Sequence, residues 1–304
     1  MKRLLAGLVA AFAALALSAC ATSGSSAEGD RPSVVVTTNI LGDVVSQVVG
    51  DQAEVTVLMP PNADPHAFGV SAQEALKMQQ ADLLVYNGQG LEEDLIKHVD
   101  AAGKEGVTLF AATDYVDLLD YSTADASGPD PHFWTDPTQM IKVVEALKGE
   151  LSKVEGIDPA AIAASAEAYR DQLAGADADM EAAFSPIPAN KRALVTNHHV
   201  FGYLARRYDF TVIGAVIPGG ATLAAPSAAD LSELAEAVRT AGVGAIFADV
   251  SSPDKLVQSL AAHTGVDVQV VPLFTESLSE PGGEAPTYLD MLRVNSTRIA
   301  EALR

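Results

Sequence analysis

Residues 33–58 read SVVVTTNILGDVVSQVVGDQAEVTVL, and in this stretch two runs rich in β-branched residues, Val34–Thr37 and Glu54–Leu58, flank a helical pattern. The same alternation continues along the chain and starts again after residue 190. The further strand-like runs are 82–86, 107–110, 193–196, 212–216, 245–248 and 268–271. Short apolar strands that alternate with helices are typical of βα units and a parallel sheet. The sequence therefore predicts an α/β protein with two βα lobes.

A long helical pattern separates the two sets of strands. Apolar residues recur at helical spacing from Asp158 to Phe184, and Asp158-Pro159 supplies an N-cap and a first-turn proline. Such a helix extends roughly 40 Å. The prolines of Ser185-Pro186-Ile187-Pro188 then end it, because proline has no N–H to donate. We therefore expect a first lobe over 33–157, one rigid linking helix over 158–184 and a second lobe over 185–304.

Composition narrows the class of protein. The chain has 304 residues, of which 48% are hydrophobic and 19% charged, a balance typical of a folded globular protein. Lys and Arg total 19 against 40 Asp and Glu, so the net charge of -21 would repel a phosphate backbone and we expect no nucleic-acid partner. The single cysteine, Cys20, excludes an internal disulfide and cysteine-rich zinc modules. Any metal ligands must be histidines and carboxylates.

The first twenty residues indicate export. Lys2 and Arg3 precede an apolar run from Leu4 to Leu17, which is too short to span a bilayer but suits the core of a signal peptide. The run ends in Leu17-Ser18-Ala19-Cys20, which resembles the lipobox of bacterial lipoproteins, where the chain is cut before the cysteine and the cysteine is lipidated. An ordinary signal peptide with a chance cysteine is the alternative.

From this N-terminus we expect a signal peptide over 1–19 and a lipidated Cys20 that opens a flexible tether over 20–32, since Ala21 to Pro32 is small, polar and rich in Gly and Ser. The lipid would be the membrane anchor. The protein is then expected at the outer face of the cell membrane, or in the periplasm of a two-membrane cell.

Three of the six histidines share a setting. His66 follows the strand that ends at Leu58, His132 lies in a proline-punctuated loop before a helix, and His198 follows the strand 193–196. Ligands of open α/β sheets gather where loops converge at the carboxyl ends of strands. These histidines therefore predict a site in the cleft between the lobes. The helical settings of His98 and His263 favour solvent-facing positions instead.

A fourth ligand and several neighbours complete the predicted site. Three neutral imidazoles on a divalent cation favour a carboxylate, which offsets the buried charge. Glu276 follows the strand 268–271 and is the preferred candidate, with Asp249 as a reserve or supporting residue. His199 adjoins His198, and only one of this pair is expected to be a ligand. Trp134, beside His132, either shields the metal from water or belongs to the core.

At this point the residues resemble a known family, the TroA-like zinc- and manganese-binding receptors of bacterial ABC importers. The resemblance runs from about Val34 to the C-terminus and rests on four motifs in the family's order. They are Asp64-Pro65-His66, Tyr86-Asn87-Gly88-Gln89-Gly90-Leu91-Glu92, Asp130-Pro131-His132-Phe133-Trp134-Thr135-Asp136-Pro137 and the stretch 198–208, HHVFGYLARRY.

The resemblance implies two βα lobes joined by a rigid helix, with one metal between them and delivery to a membrane permease. It places the four ligands on His66, His132, His198 and Glu276, and it selects His198 over His199 by alignment alone. The family more often has Asp than Glu at the fourth position. The expected role is capture of a metal by a monomeric extracytoplasmic receptor for an ABC permease.

Two features of the sequence favour different metals. Many zinc-specific members carry a His-rich loop before the second ligand, whereas 114–128 holds no histidine. Three imidazoles nevertheless favour Zn(II) over Mn(II), which prefers oxygen ligands, so Zn(II) is the predicted cargo, with Mn(II) or Fe(II) as alternatives. Since imidazole must lose its proton to bind metal, capture is expected to weaken below about pH 6 to 6.5.

Two other functions use the same elements. A metal-dependent hydrolase needs an open coordination position for water, but four protein ligands close the site, and neither a His-Glu-x-x-His helix nor a Gly-x-Ser-x-Gly elbow is present. We therefore expect no enzyme.

A receptor for a chelate or siderophore would need an aromatic or basic cleft, whereas aromatics are only 6% of the chain.

Overall fold

The computed structural model describes residues 31–121, 123 and 125–304. Residues Pro32 to Arg304 form one compact unit. The predicted signal peptide, Cys20 and nearly all of the tether lie outside the described residues. Among the helices that are described, none is both long and apolar enough to cross a membrane.

Ten strands and nine helices make up the described part of the chain. The first lobe contains β1 (Ser33–Val36), α1 (Asn39–Val49), β2 (Glu54–Val57), α2 (Ala72–Gln79), β3 (Leu83–Tyr86), α3 (Ile96–Lys104), β4 (Thr108–Ala111), β5 (Leu119–Asp120), β6 (Pro129–Asp130) and α4 (Pro137–Leu151). Helix α5 (Pro159–Phe184) follows. The second lobe contains β7 (Ala193–Thr196), α6 (Gly202–Tyr208), β8 (Thr211–Ala215), α7 (Ala228–Ala241), β9 (Ala245–Asp249), α8 (Lys255–Thr264), β10 (Gln269–Leu273) and α9 (Tyr288–Leu303).

Each lobe is built around a parallel four-stranded sheet, with strand orders β2-β1-β3-β4 and β10-β9-β7-β8. Written in reverse, the second strand order is β8-β7-β9-β10, which is the same topology as that of the first sheet. In both sheets the order reverses beside the first strand, which opens a crevice at the carboxyl ends of the strands. Strands β5 and β6 form a separate antiparallel pair. The predicted α/β class with two parallel-sheet lobes is confirmed.

Local signals in the sequence set the helix boundaries. The Asp158 carboxylate accepts a hydrogen bond from the Ala160 N–H at 2.9 Å, and Pro159 occupies the first turn of α5. The helix ends at Phe184, directly before the Ser-Pro-Ile-Pro stretch. Ser71 caps α2 and Ser227 caps α7, each in a reciprocal capping box. The sequence-based lobe limits, 33–157 and 185–304, stay a prediction, since Pro32 to Arg304 form one unit.

One hydrophobic core joins the two lobes. It extends from the valines of β1 through buried residues of α4, α5 and α9 to Leu194 and Phe247 of the second sheet. Helix α9 also reaches back to the first lobe, where the Tyr288 N–H donates to the Asp43 carboxylate at 2.9 Å. The Tyr288 hydroxyl donates to the carbonyl of Trp134. The lobes are therefore connected by packed side chains as well as by the linking helix.

Helix α1 approaches strand β2 closely at Gly42, and this contact generates a stability prediction. A Cβ at Gly42 would lie 2.5 Å from Cγ2 of Val57. Alanine normally stabilises a helix interior relative to glycine by about 1 kcal/mol. We expect Gly42→Ala to lower the free energy of unfolding by about 1 to 3 kcal/mol instead, because the added methyl overpacks a stiff β-branched side chain. Urea denaturation of the metal-free protein measures the change.

Gly175 of α5 is the matched control, because nothing lies within 4 Å of a Cβ built there. Gly175→Ala is expected to raise the free energy of unfolding by about 0.5 to 1 kcal/mol. Equal changes in the two variants would contradict the close packing of α1 on β2.

Candidate metal centre

Four loops bring three histidines and one carboxylate together between the lobes. His66 lies in the loop after β2, His132 two residues after β6, His198 two residues after β7, and Glu276 three residues after β10. One ligand-type atom from each residue lies within 4.8 Å of the others. All four residues are buried, with at most 2% of their surface exposed. These are the four residues that the sequence analysis selected, two from each lobe.

The distances within this cluster are short. Nε2 of His66 and Nε2 of His132 are 3.2 Å apart. The Glu276 carboxylate lies 2.9 Å from Nε2 of His198, 3.7 Å from Nε2 of His132 and 3.9 Å from Nε2 of His66. Donors around a tetrahedral ion with bonds of about 2.0 to 2.1 Å are separated by about 3.3 Å. The observed separations bracket that value.

Several polar atoms of the cluster have no hydrogen-bond partner. They include both carboxylate oxygens of Glu276 and Nε2 of His198, which lies 2.9 Å from one of these oxygens but not in hydrogen-bond geometry. A buried polar group without a partner is costly, and a native structure rarely contains several at one point without a reason. The atoms face one another, as expected for donors arranged around an ion. The residues therefore fit a bound divalent cation.

The two clustered histidines of the first lobe, His66 and His132, are held by the same kind of local contact. In each Asp-Pro-His tripeptide the aspartate accepts a hydrogen bond from the histidine N–H, at 2.9 Å for Asp64 and His66 and at 3.0 Å for Asp130 and His132. The Asp130 carboxylate also contacts Nδ1 of His132 at 2.7 Å. This contact directs Nε2 of His132 toward the cluster, as carboxylates behind ligating histidines do. The sequence analysis did not assign this role to either aspartate, although the repeated tripeptide was a visible signal.

Asp249 and Trp134 hold the loop that carries Glu276. The Asp249 carboxylate accepts hydrogen bonds from the N–H and hydroxyl of Thr275 and from the N–H of Ser251. The Trp134 indole N–H donates to the carbonyl of Thr275 at 2.8 Å. Asp249 is therefore engaged with Ser251 and with the loop of Glu276, and it lies outside the four-residue cluster. The Trp134 ring is buried, 5.2 Å from the ring of His132.

The remaining histidines point elsewhere. Nε2 of His199 lies 2.9 Å from the carboxylate of Asp125, away from the cluster that His198 joins. His98 lies half-buried in α3, and His263 is exposed on α8. Adjacent residues 198 and 199 thus face opposite sides of the loop, so that only one of the pair enters the cluster.

Burial controls the protonation of the cluster. Desolvation raises the pKa of Glu276 well above its ordinary value, and it lowers the pKa of His66 to about 4. Burial also lowers the pKa values of His132 and His198, and it raises that of Asp130 to about 7. The metal-free cluster at neutral pH therefore contains neutral imidazoles, and burial favours the protonated form of Glu276 more than in a solvent-exposed carboxyl.

Comparison with known proteins gives consistent matches over nearly the whole chain. The family model described as ZnuA, zinc-uptake complex component A, periplasmic, matches residues 34–302. The manganese ABC transporter substrate-binding lipoprotein PsaA of Streptococcus pneumoniae is 29% identical, over 100% of this chain and 99% of that protein.

Solved structures agree with the sequence matches. The periplasmic zinc binding protein TroA from Treponema pallidum is 30% identical, with a TM-score of 0.83 over 90% of this chain and 99% of that chain. A Mn-bound periplasmic metal binding protein from Candidatus Liberibacter asiaticus is 26% identical, with a TM-score of 0.79 over 90% of this chain and 100% of that chain. The similarity extends through both lobes.

The raised pKa of Glu276 generates a prediction about protons. Its folded-state pKa lies above the ordinary value, so at any pH below that raised pKa a proton must leave before the carboxylate binds an ion. We expect Zn(II) binding to release up to about one proton from Glu276, with more released at lower pH, and affinity to rise with pH until the raised pKa is passed. Because burial lowers the pKa of His66 to about 4, protons compete with metal for this imidazole only at a lower pH than the sequence predicts.

Isothermal titration calorimetry in buffers of different ionisation enthalpy counts the released protons. The Glu276→Gln variant lacks the titrating carboxyl group, so its metal binding should release fewer than half as many protons as that of the wild type. Equal proton release from the wild type and this variant would show that Glu276 is ionised before binding.

The contact between Asp130 and His132 generates a second prediction. Asn at position 130 removes the charge behind the imidazole, and loss of such an outer contact typically weakens metal binding by about 10- to 100-fold. We expect this loss for Asp130→Asn in a competition titration against a chromogenic chelator. Asp120→Asn, on the exposed strand β5 of the same hairpin, is the control and should bind like the wild type. Equal affinities of the two variants would contradict the role of Asp130.

Proposed function

Because the chain belongs to the zinc-uptake component A family of metal-binding receptors, we propose that it captures Zn(II) through His66, His132, His198 and Glu276 and passes the ion to an ABC permease. The general role of the protein follows from its family and its relatives. The chain is a metal-binding substrate-binding protein of an ABC transporter and not an enzyme. It is an extracytoplasmic, membrane-anchored lipoprotein, as these relatives are.

The buried cluster is the observation that carries the choice of ligands. Four ligand-type atoms from four separate loops lie within 4.8 Å of one another, and the oxygens of Glu276 have no other partner. Four protein donors at the separations of a tetrahedral ion leave no open position for a reactive water. This arrangement suits retention of an ion and disfavours the metal-dependent hydrolase.

The donor set supports zinc among the possible metals. Three of the four donors are imidazole nitrogens, which suit Zn(II), whereas Mn(II) prefers a larger number of oxygen ligands. The names of the relatives divide between manganese and zinc, so similarity alone does not select the ion. If Mn(II) or Fe(II) were the cargo, the second oxygen of Glu276 would have to act as a further ligand.

The burial of the cluster disfavours a chelate or siderophore as cargo. His132 and His198 have no exposed surface, and His66 and Glu276 are 2% and 1% exposed. A chelated metal would bring organic groups that need space around the ion. The site therefore suits a bare ion that exchanges its water ligands for protein ligands.

The anchor and the partner complete the proposal. Cys20 is the proposed lipidation site, and the residues up to Pro32 are the proposed tether. The partner is the membrane permease of an ABC importer. We propose that the receptor acts as a monomer, since each lobe contributes two of the four ligands within one chain.

A metal titration of the soluble protein from Ala21 onward tests the proposal. After removal of metal with a chelator, the wild type should bind one equivalent of Zn(II) more tightly than Mn(II). His66→Ala and Glu276→Ala should each weaken zinc binding by at least about 100-fold, because each loses one of four ligands. Competition with a chromogenic chelator gives the affinities, and metal analysis gives the stoichiometry.

His263→Ala is the matched control, because it removes an exposed imidazole from α8 without touching the cluster. It should bind like the wild type. Tight Mn(II) with weak Zn(II) would keep the receptor and reverse the proposed metal. The absence of stoichiometric binding by the wild type would remove the metal site itself.

A further inference from the structure

The loop after β8 lies opposite the loop that carries His66. Strands β2 and β8 occupy the same place in the winding of the two sheets, and each is followed by a long loop. The first of these loops supplies His66, whereas the second supplies no residue to the cluster. It supplies two hydrogen-bonding groups instead, the hydroxyl of Thr222 and the carbonyl of Gly220.

Thr222 contacts the residue that holds His66. Its hydroxyl donates to Oδ2 of Asp64 at 2.5 Å, across the boundary between the lobes. The other oxygen of the same carboxylate accepts the N–H of His66 at 2.9 Å. A single carboxylate therefore joins a loop of the second lobe to the ligand loop of the first.

Gly220 makes a parallel contact beside His132. The Tyr121 hydroxyl donates to the carbonyl of Gly220 at 3.1 Å and lies 3.4 Å from Nδ1 of His132. A Cβ at Gly220 would lie 2.5 Å from the Tyr121 oxygen, with two ring carbons at 2.6 and 2.7 Å. Only glycine at position 220 allows the phenol to lie against this backbone. His66 and His132 are thus each connected, through one neighbouring side chain, to the same loop of the second lobe.

The position of these contacts indicates their role. Asp64, Tyr121, Gly220 and Thr222 are partly exposed, whereas the ligand-type atoms beneath them are buried. The contacts therefore lie at the rim of the site and close it from outside. They also join the two lobes, so they must break before the lobes separate there.

We infer that Thr222 and Gly220 form a latch over the metal site and set the rate at which the ion is released. This inference rests on the proposed function, because it assumes that the cluster binds metal. Both are positioning residues, since neither contacts the ion. The latch forms only when the loops meet, so its loss affects release of the ion more than its capture.

Stopped-flow measurement of metal release tests the latch. The zinc-loaded protein is mixed with excess chelator to obtain the release rate, and the metal-free protein is mixed with zinc to obtain the capture rate. Thr222→Val keeps the shape of the side chain but removes the hydrogen bond to a charged group. We expect the release rate to increase about tenfold with a capture rate within about twofold of the wild type.

Matched variants separate a latch from a general defect. Thr222→Ser restores the hydroxyl and should restore slow release. Gly220→Ala should accelerate release through displacement of Tyr121. Leu223→Ala changes an exposed neighbour in the same loop and should release zinc like the wild type. Urea denaturation of metal-free Thr222→Val, Thr222→Ser and Leu223→Ala should give unfolding midpoints equal to that of the wild type.

Two results would overturn the latch. One is a wild-type release rate in both Thr222→Val and Gly220→Ala while the wild type binds one equivalent of zinc; the proposed function then stands alone. The other is a lower unfolding midpoint of metal-free Thr222→Val that accounts for its faster release. If the wild type binds Mn(II) more tightly than Zn(II), the same release and capture rates are measured with Mn(II). A wild type that holds neither ion contradicts the proposed function, and the latch with it.

Discussion

The burial of three imidazoles and one carboxylate with unpaired atoms is the constraint on which the site depends. The unpaired oxygens of Glu276 and the unpaired Nε2 of His198 cost free energy in the metal-free protein, because none of them makes a hydrogen bond. The surrounding residues must therefore hold the donors in place against their tendency to find other partners. Asp64 and Asp130 do this in the first lobe, and Asp249 does it in the second. A divalent cation satisfies the same atoms at once, which makes it the natural completion of the site.

The shared hydrophobic core fixes the positions of the residues that hold the cluster. Helices α4, α5 and α9 pack into one hydrophobic core that includes residues of both sheets. Tyr288 adds hydrogen bonds from α9 to Asp43 and to the carbonyl of Trp134, whose indole in turn reaches the Glu276 loop. A chain of contacts thus connects the linking region to the site. The lobes meet through packed side chains on one side and through loops on the other, so the adjustable part of the boundary is the loop side.

Much of this architecture was predictable from the sequence, because its signals are local. The valine run at β1, the capped helix that begins at Pro159 and the prolines that follow Phe184 each express a backbone preference of a few residues, and the observed strands differ from the predicted runs by no more than two residues. The Asp-Pro-His loops identified two of the clustered residues for the same reason. The pair β5–β6 was not predicted, because strands of two residues carry no periodicity.

The direction of a side chain was the least predictable feature. His198 and His199 are neighbours in sequence, and only the folded loop shows that one faces the cluster and the other Asp125. Asp249 ends β9, Glu276 follows the neighbouring strand β10, and both side chains are carboxyl groups. Their different positions depend on Thr275 and Ser251, which engage the Asp249 carboxylate. Such distinctions arise from tertiary contacts, which no local pattern records.

The equal division of the proposed donors between the lobes would make the receptor a bivalent chelator. His66 and His132 would form one bidentate half, and His198 and Glu276 would form the other. Each half alone offers an ion two bonds, and the second pair acts at the effective concentration that the closed fold imposes. Affinity is then a product of two weak sites rather than a property of one strong site. A small separation of the halves would lower that effective concentration steeply, and protonation of Glu276, which its raised pKa favours, would assist release of the ion.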